Sequence, residues 1–370
     1  MRKLIGLSLS TMLLGTLVNT AQACTDFKIT ADDGTVMIAR SMEFALDLKS
    51  NIRSSTRDRA FTTTAPDGQA AMSWRSKFGY IFADALNMDT VTDGMNEKGL
   101  SFEYLYLPGE TQYQTVAASD DKNSLPYINF GDWVLGNFQT VDEVRKALSN
   151  VHVTNAQIPG MPNVTFPLHA AIYDASGKGI IVEFIKGKME ISDNSVGILT
   201  NSPTYEWQNT NLRNYLNLSP YAPNPITVDG ITYAATGQGS GMIGLPGDYS
   251  PPSRFVRVAI LKKAALPPKN AAEALNLAEH IINTVDIALG TVRAKEASGK
   301  DDNELTQWVV FKDLTHKLLY YRTYDNMTLR AIDMSKVDFS ANAPRLKMPM
   351  DNGYNIQDLT QQFLQQKNSS

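Results

Sequence analysis

Apolar residues recur in short runs separated by polar turn residues along most of this chain, and the earliest run predicts a β-hairpin. Apolar and polar residues alternate over Cys24–Thr30 and over 35–40, a pattern typical of half-buried strands. The Asp33-Gly34 pair between the two runs is a strong signal for a hairpin turn. Cys24 is therefore expected to begin a strand and not a loose tail.

Two later blocks of the chain, 168–201 and 306–333, show the same pattern. Polar turn residues divide each block into apolar stretches of the length that strands usually have. The strands predicted from these stretches cover 168–173, 179–185, 195–200, 306–312, 317–324 and 328–333.

Helical signals lie between these blocks. Thr140 and Glu143 form a capping box that opens a helix ending near Asn150, and 270–285 has apolar residues at helical spacing. Strands and helices thus come in separate groups, an order typical of an α+β fold with antiparallel sheets. Since no linker-like segment divides residues 24–370, we expect them to form one domain.

The first 23 residues have the layout of a secretory signal peptide. Arg2 and Lys3 precede an apolar run over 4–18, and Ala21-Gln22-Ala23 is an A-x-A cleavage site. We expect residues 1–23 to be removed and the mature chain to be periplasmic or secreted. No later run reaches 18 apolar residues, so stable membrane insertion is not expected.

Charge gives no indication of a polyanionic partner. The chain of 370 residues has a formal net charge of −4, and loss of Arg2 and Lys3 would make it about −6. Neither nucleic acid nor an anionic membrane surface is therefore favoured as a partner. A small-molecule substrate fits this charge better.

The sequence holds one cysteine, Cys24, which cleavage after Ala23 would make the N-terminal residue. An exported protein with a single cysteine forms no internal disulfide, so this residue needs another explanation. Cleavage gives it both a thiol and a free α-amine, whose unperturbed pKa of about 7.7–8.0 makes it a usable base. The nucleophile and the base for attack on an amide would then belong to one residue.

A lipid anchor is the alternative use of a cysteine at this place. Lipoprotein signals usually have Leu three residues before the cysteine and a small residue two before it, where this chain has Ala21 and Gln22. A flexible tether usually follows a lipidated cysteine, whereas Cys24 begins a predicted strand. The nucleophile is favoured, and a non-catalytic, lipid-anchored binding protein is the rival from another class.

No cofactor and no metal are implied. The four histidines are scattered without metal-like spacing, and zinc and serine-hydrolase motifs do not occur in the sequence. Residues 239–244 fit a G-x-G-x-x-G pattern, but Pro246 and Gly247 follow at once. A loop is therefore expected there instead of a dinucleotide site.

Seven segments, taken with Cys24, resemble the choloylglycine hydrolase family, which includes bile salt hydrolases and penicillin V acylases. Their order and spacing extend over almost the whole mature chain. They are IARSMEF at 38–44, DGMNEKGL at 93–100, LYLPG at 105–109, ILTNSP at 198–203, NLRNY at 211–215, GLPGDYSPPSRFVR at 244–257 and YYRTYD at 320–325.

The resemblance implies the four-layer αββα sandwich of N-terminal-nucleophile hydrolases and cleavage of a linear amide bond. Arg40 matches the family arginine beside the nucleophile's sulfur, and Arg254 matches an arginine of the active-site charge network. Glu43 stands where the family usually has Asp, and it is expected to hydrogen-bond the Cys24 amine. Asn201 matches the asparagine whose side-chain amide helps to form the oxyanion hole.

Aromatic residues are the expected substrate contacts. Tyr106 replaces the second oxyanion-donor asparagine of bile salt hydrolases, so its phenol or a nearby backbone N–H would take over that task. Tyr106, Tyr104 and Phe82 fall in the region that frames the substrate pocket in relatives, which suggests an aromatic or aliphatic acyl group. The resemblance thus implies an N-acyl substrate such as penicillin V, an acyl homoserine lactone or, as the alternative, a conjugated bile salt. The sequence itself shows no oligomeric state, and homotetramers are common in the family.

Overall fold

A computed structural model of the protein describes residues 23–158, 161, 164–295, 299–351 and 353–365. The signal-peptide prediction therefore lies outside the described residues, apart from Ala23. Within these residues no helix combines the length and the apolar character needed to cross a membrane. The described residues form 21 strands and six α-helices.

The strands are β1 Cys24–Thr30, β2 Val36–Phe44, β3 Asn51–Ser55, β4 Ala60–Thr64, β5 Ala70–Arg75, β6 Tyr80–Ala83, β7 Asp93–Asn96, β8 Ser101–Tyr106, β9 Ser124–Pro126, β10 His152–Thr154, β11 Leu168–Tyr173, β12 Gly179–Ile185, β13 Lys188–Asp193, β14 Ile198–Leu199, β15 Ile226–Val228, β16 Ile231–Tyr233, β17 Val292–Lys295, β18 Asp301–Asp313, β19 Leu318–Thr323, β20 Arg330–Asp333 and β21 Lys347–Pro349. The helices are α1 Phe130–Asn137, α2 Val141–Leu148, α3 Tyr205–Asn211, α4 Pro251–Ala264, α5 Ala271–Ile282 and α6 Thr360–Gln365.

Two large antiparallel sheets form the centre of the molecule. The first has the order β14-β1-β2-β18-β19-β20, with β17 also pairing with β18. The second has the order β13-β12-β11-β8-β7-β6-β3-β21. Cys24 lies opposite Met42 at the start of the first sheet's β1–β2 ladder.

Helices cover the outer face of each sheet. One apolar cluster joins residues of both sheets and continues to α4 and α5, whereas a second joins the other face of the second sheet to α1 and α2. The layers therefore run helix, sheet, sheet, helix, and the predicted α+β, αββα architecture is confirmed. Burial of both faces of the sheets explains why so many strand positions are apolar.

Most of the elements predicted from the sequence are present. The first hairpin is confirmed, with Gly34 in the left-handed region (φ 87°) at its turn. The α2 capping box forms, because Glu143 N donates to Thr140 Oγ1 over 3.2 Å. One predicted strand, 195–200, is wrong in its extent: only Ile198–Leu199 pair there, and the preceding strand β13 was not predicted.

A salt-bridge cluster crosses the space between the sheets. Lys312 of β18 lies 2.6 Å from Asp93 and 2.5 Å from Glu103, which belong to β7 and β8 of the other sheet. All three side chains are buried. Because a buried charge is costly without a partner, this cluster ties the two sheets to one relative position.

Candidate active site

Cys24 is the first residue of β1, and its thiol points at a cavity between the sheets. The residue is buried, and its Sγ lies 3.7 Å from Arg40 Nη2 and 3.9 Å from Met42 Sδ. Both neighbours come from β2, where pairing of Cys24 with Met42 and of Asp26 with Arg40 puts the three side chains on one face. The hairpin thus brings a cation to the sulfur.

Arg40 is held firmly in this position. Its Nη2 donates to the Tyr104 carbonyl over 2.8 Å, and its guanidinium stacks on Trp308 with 4.6 Å to the ring centroid. Burial raises the pKa of the Cys24 thiol, and the Arg40 charge opposes that rise. The structure thus places the Arg40 guanidinium beside the Cys24 sulfur, and the role of Cys24 as a nucleophile stays a prediction.

Asn201 lies at the backbone end of Cys24. Its Oδ1 accepts the Cys24 N–H over 2.6 Å and an Arg254 N–H over 2.8 Å, while Nδ2 donates to the Tyr106 carbonyl over 2.7 Å. A guanidinium only donates hydrogen bonds, so the atom of the Asn201 amide that faces Arg254 must be the oxygen. The nitrogen of the amide then faces the Tyr106 carbonyl. The second Nδ2 hydrogen has no hydrogen-bond partner among the described residues, but Asn201 is not one of the residues that line the cavity at Cys24, so its oxyanion role stays a prediction.

Arg254, from the first turn of α4, joins Asn201 to the start of β1. It is fully buried and donates to the Cys24 carbonyl over 2.5 Å and to Thr25 Oγ1 over 2.6 Å. Burial lowers the pKa of this guanidinium, with Glu43 as the main opposing charge. The structure thus places Arg254 in contact with Cys24, Thr25 and Asn201, and its catalytic role stays a prediction.

Glu43 lies close to the site. Its predicted hydrogen bond to the Cys24 amine concerns the chain after cleavage and stays a prediction, because the Cys24 nitrogen is here a peptide nitrogen with one hydrogen. Glu43 Oε1 accepts from Thr306 Oγ1 over 2.7 Å, because Thr306 is paired with Glu43 across the β2–β18 ladder. The Cys24 N–H donates to Asn201. Burial raises the pKa of Glu43 to about 8, against the opposing charge of Arg254.

The cavity at Cys24 has a volume of about 80 Å³ and an almost entirely apolar wall. Tyr104 and Tyr106 line it, as predicted, and the Tyr106 ring meets Phe44 edge to face at 6.4 Å. The residues that line it are Cys24, Arg40, Met42, Phe44, Leu48, Ala85, Leu86, Met88, Thr90, Val91, Thr92, Tyr104, Tyr106, Tyr127, Ile128, Phe166 and Leu168.

Phe82 is not among the residues that line this cavity, so its predicted substrate contact does not fit the structure. It is fully buried and packs 5.7 Å from Tyr80 in the apolar cluster between the second sheet and α1. The alternation of β6 explains this, since Tyr80 and Phe82 share the strand face that points at the helices.

Sequence reasoning missed Glu304 and Thr306. The Ala23 N–H donates to Glu304 Oε1 over 2.6 Å, so a carboxylate faces the backbone N–H of the residue directly before Cys24. Burial raises the pKa of Glu304 to about 7. The one signal in the sequence was that these two polar residues stand at alternating positions, where the predicted strand block 306–333 begins.

The described residues offer no group of three or more His, Cys, Asp or Glu that could hold a metal ion. The chemistry visible at the site is instead a thiol, two arginines, two carboxyls and an amide. Such a set suits nucleophilic attack on a carbonyl and stabilisation of the oxyanion that results.

Comparison with known proteins gives a consistent result. Residues 24–349 match the sequence model described as linear amide C–N hydrolases, choloylglycine hydrolase family. A bile salt hydrolase/transferase of Clostridium perfringens (strain 13 / Type A) is 35% identical over 323 residues, covering 86% of this chain and 94% of that protein.

Two solved structures share the fold. A variant of conjugated bile acid hydrolase from Clostridium perfringens superposes with a TM-score of 0.79 at 31% identity, covering 91% of this chain and 100% of that one. Penicillin V acylase from Agrobacterium tumefaciens gives a TM-score of 0.71 at 26% identity, covering 90% of this chain and 94% of that one.

Proposed function

The chain belongs to the choloylglycine hydrolase family of linear amide C–N hydrolases, and on that premise we propose that it is an exported amidase with Cys24 as an N-terminal nucleophile. The observation that carries the proposal is the position of Cys24: its thiol faces an apolar cavity, 3.7 Å from the Arg40 guanidinium, while its nitrogen contacts Asn201. Residues 24–370 then act as one catalytic domain.

The proposed reaction uses the thiol and the amine of one residue. The α-amine, freed by removal of residues 1–23, accepts the thiol proton, and the thiolate attacks the amide carbonyl. The free Nδ2 hydrogen of Asn201, with a backbone N–H or the Tyr106 phenol, stabilises the oxyanion. The Cys24 ammonium returns its proton to the leaving amine, and water hydrolyses the thioester that is left.

The acyl group of the substrate is proposed to be apolar and slim. About 80 Å³ is small beside the roughly 300–1,000 Å³ of typical ligand sites, and the wall offers apolar contacts almost throughout. A single ring or an unbranched chain fits such a slot. The phenoxyacetyl group of penicillin V and the acyl chain of an N-acyl homoserine lactone both have this shape.

Conjugated bile salts are the second candidate. The similarity to a bile salt hydrolase/transferase over 86% of this chain favours them, and an apolar wall also suits a steroid. The fused rings need a wider cavity, so binding would require outward movement of residues around the slot such as Leu86 and Met88.

A homotetramer is proposed as the assembled form. The hairpin of β15 and β16 exposes Ile226, Val228, Ile231 and Tyr233, each at least 50% accessible. Cross-strand pairing places all four side chains on one face of the hairpin. A second copy of the chain is the partner expected to cover this apolar face.

A hydrolysis panel on the processed protein tests this proposal. Penicillin V, N-acyl homoserine lactones of several chain lengths and glycine- and taurine-conjugated bile salts are incubated with the protein and with Cys24→Ser. Release of amine from one of the first two classes, lost in Cys24→Ser, supports the proposal. Turnover of bile salts alone selects the second candidate, and undiminished activity of Cys24→Ser contradicts the mechanism.

Mass spectrometry of the mature N-terminus separates the enzyme from a lipoprotein. A free Cys24 supports export followed by signal-peptide removal. A diacylglyceryl-modified Cys24 would carry its lipid on the sulfur, which blocks the thiol, and would support a lipid-anchored binding protein instead.

A further inference from the structure

The residue before the nucleophile is held by a carboxylate with unused hydrogen-bonding capacity. Ala23 and Glu304 are both buried, and the Ala23 N–H donates to Glu304 Oε1 over 2.6 Å. Glu304 Oε2 is buried and has no hydrogen-bond partner within the part of the chain that the structure describes. One oxygen of Glu304 therefore binds the segment expected to be removed, and the other has no donor.

Cleavage after Ala23 changes what this carboxylate faces. It removes the N–H that Glu304 binds and creates an α-ammonium one residue further along the chain. Since consecutive Cα atoms are about 3.8 Å apart, the new ammonium lies within about one residue's length of the lost donor. The Cys24 amide has one hydrogen, which Asn201 Oδ1 accepts, whereas an ammonium has three and needs further acceptors.

Two carboxyls lie near enough to serve. Glu43 already accepts a hydrogen bond from Thr306 through Oε1, and only its Oε2 is without a partner. Glu304 has both oxygens free of donors once Ala23 is gone. Removal of residues 1–23 thus leaves the Glu304 carboxylate without a hydrogen-bond donor, close to the place where the positive charge of the new ammonium appears.

Four charged groups lie around Cys24, two cations and two carboxyls, and only the carboxyls attract a new ammonium. The four groups are Arg40 and Glu43 of β2, Arg254 of α4 and Glu304 of β18. Burial raises the pKa of Glu304 to about 7, so little free energy separates its neutral and charged forms at neutral pH. An ammonium beside it would favour the charged form.

We propose that Glu304 is the positioning residue of the Cys24 α-amine in the processed enzyme. Its carboxylate accepts a hydrogen from the ammonium and holds the nitrogen beside the thiol, with Asn201 as the second acceptor. This inference rests on the proposed function, in which that amine is the base. Glu304 acts through the amine and has no contact with the substrate.

The pH profile of Cys24 alkylation tests the inference without a substrate. Cys24 is the one thiol in the sequence, so iodoacetamide reports on that residue alone. Glu304→Gln keeps the side chain's size and removes its charge, which favours the neutral amine and the thiolate. The pH midpoint of alkylation should move about one unit lower. The acidic limb of kcat/KM should move with it, and kcat should fall about tenfold because the amine is less well held.

Two further variants separate positioning from folding. Asp301→Asn removes an exposed carboxylate from the same strand and should leave the midpoint unchanged. Glu304→Asp keeps the charge on a shorter arm, so the midpoint should stay near that of the parent while kcat falls with little change in KM. If Glu304→Gln does not fold, the kinetics of Glu304→Asp decide whether Glu304 positions the amine.

An unchanged midpoint in folded Glu304→Gln overturns the inference, whether or not activity falls, because a merely structural glutamate would leave the midpoint where it is. Glu304→Asp with the parent's kcat overturns it as well. Failure of the parent protein to hydrolyse any amide would instead refute the proposed function, and the alkylation profile would still give its answer.

Discussion

Burial and charge act on the Cys24 thiol in opposite directions. Burial raises the pKa of the thiol, and the guanidinium of Arg40 is the first of the groups that lower it. Formation of a thiolate at this depth therefore depends on the fixed cation 3.7 Å from the sulfur. The reactivity of Cys24 should depend on Arg40 more than on its other neighbours.

Arg40→Met tests that dependence. Without the cation the pKa of the thiol rises, so the pH midpoint of iodoacetamide labelling should move about one to three units higher. At neutral pH kcat/KM should fall about 10- to 1,000-fold with the thiolate fraction. Arg145→Met, at a half-buried arginine of α2 that pairs with Asp193 far from Cys24 in the sequence, should change neither quantity. Labelling of Arg40→Met with the parent's midpoint would contradict this account of the thiol.

Asn201→Ala removes the proposed oxyanion donor. Its free Nδ2 hydrogen is expected to bind substrate oxygen more strongly as negative charge develops, so kcat should fall about 100- to 1,000-fold with a small change in KM. Asn214→Ala, at an exposed asparagine shortly after it, is the matched control. Steady-state kinetics that show a raised KM with an unchanged kcat would remove Asn201 from the oxyanion hole.

The sequence predicted some of these residues and not others for a physical reason. Arg40 is 16 residues from Cys24 and belongs to the same hairpin, so its motif can be recognised locally. Glu304 reaches Ala23 across 281 residues, and only the pairing of β18 with β2 brings them together. Phe82 was misplaced because an aromatic residue in the right segment says nothing about the face of its strand.

Among the elements, strands with clear alternation were predictable and polar strands were not. β3, with the sequence NIRSS, contains one apolar residue, yet all but one of its residues are buried. Hydrogen bonds make this burial possible: Asp84 accepts from the Asn51 backbone over 2.7 Å and from the Arg53 side chain over 2.6 Å. Such partners come from distant segments and leave no periodic signal.

Helices α1 and α4 were missed for related reasons. Seven of the eight residues of α1 are buried, so it lacks the polar face that makes a helix recognisable. The start of α4 contains two prolines, which suit the first turn of a helix but also occur in loops. Thus α2 and α5, with a capping side chain and one exposed face, were the helices that the sequence predicted.

The salt-bridge cluster of Lys312, Asp93 and Glu103 should contribute to the stability of the packing between the two sheets. Lys312→Met leaves Asp93 and Glu103 buried without their cation. The free energy of unfolding, measured by urea denaturation, should fall by about 3–5 kcal/mol. Lys178→Met breaks the exposed pair with Asp142 and should cost no more than about 1 kcal/mol. A Lys312→Met protein as stable as the parent would show that the carboxyls are neutral in the fold.

The exposed hairpin of β15 and β16 predicts how copies of the whole molecule associate. Ile231→Glu puts a charge on the apolar face proposed to meet a second copy, so light scattering after size exclusion should show a monomer in place of a tetramer. Thr232→Glu changes the opposite face of the hairpin and should leave the tetramer intact. A monomeric parent protein would refute the proposed assembly.

The layered architecture itself followed from the resemblance and from the grouping of strands and helices along the chain. Its consequence for function is that the 198–203 segment, α4 and β18 converge on the backbone of Ala23 and Cys24, at the start of the hairpin β1–β2. The Cys24 nitrogen lies at the centre of these contacts. That nitrogen is an amide while Ala23 is attached, and it becomes a base only when Cys24 is the first residue.

The role of the Cys24 amine is therefore tested by comparing two forms of the protein on an amide that the parent cleaves, one beginning at Cys24 and the other retaining Ala23. Retention of Ala23 leaves the thiol in place and replaces the base by a neutral amide, so kcat/KM should fall at least about 100-fold. Equal activity of the two forms, with Ala23 still present by mass spectrometry after the assay, would contradict the account.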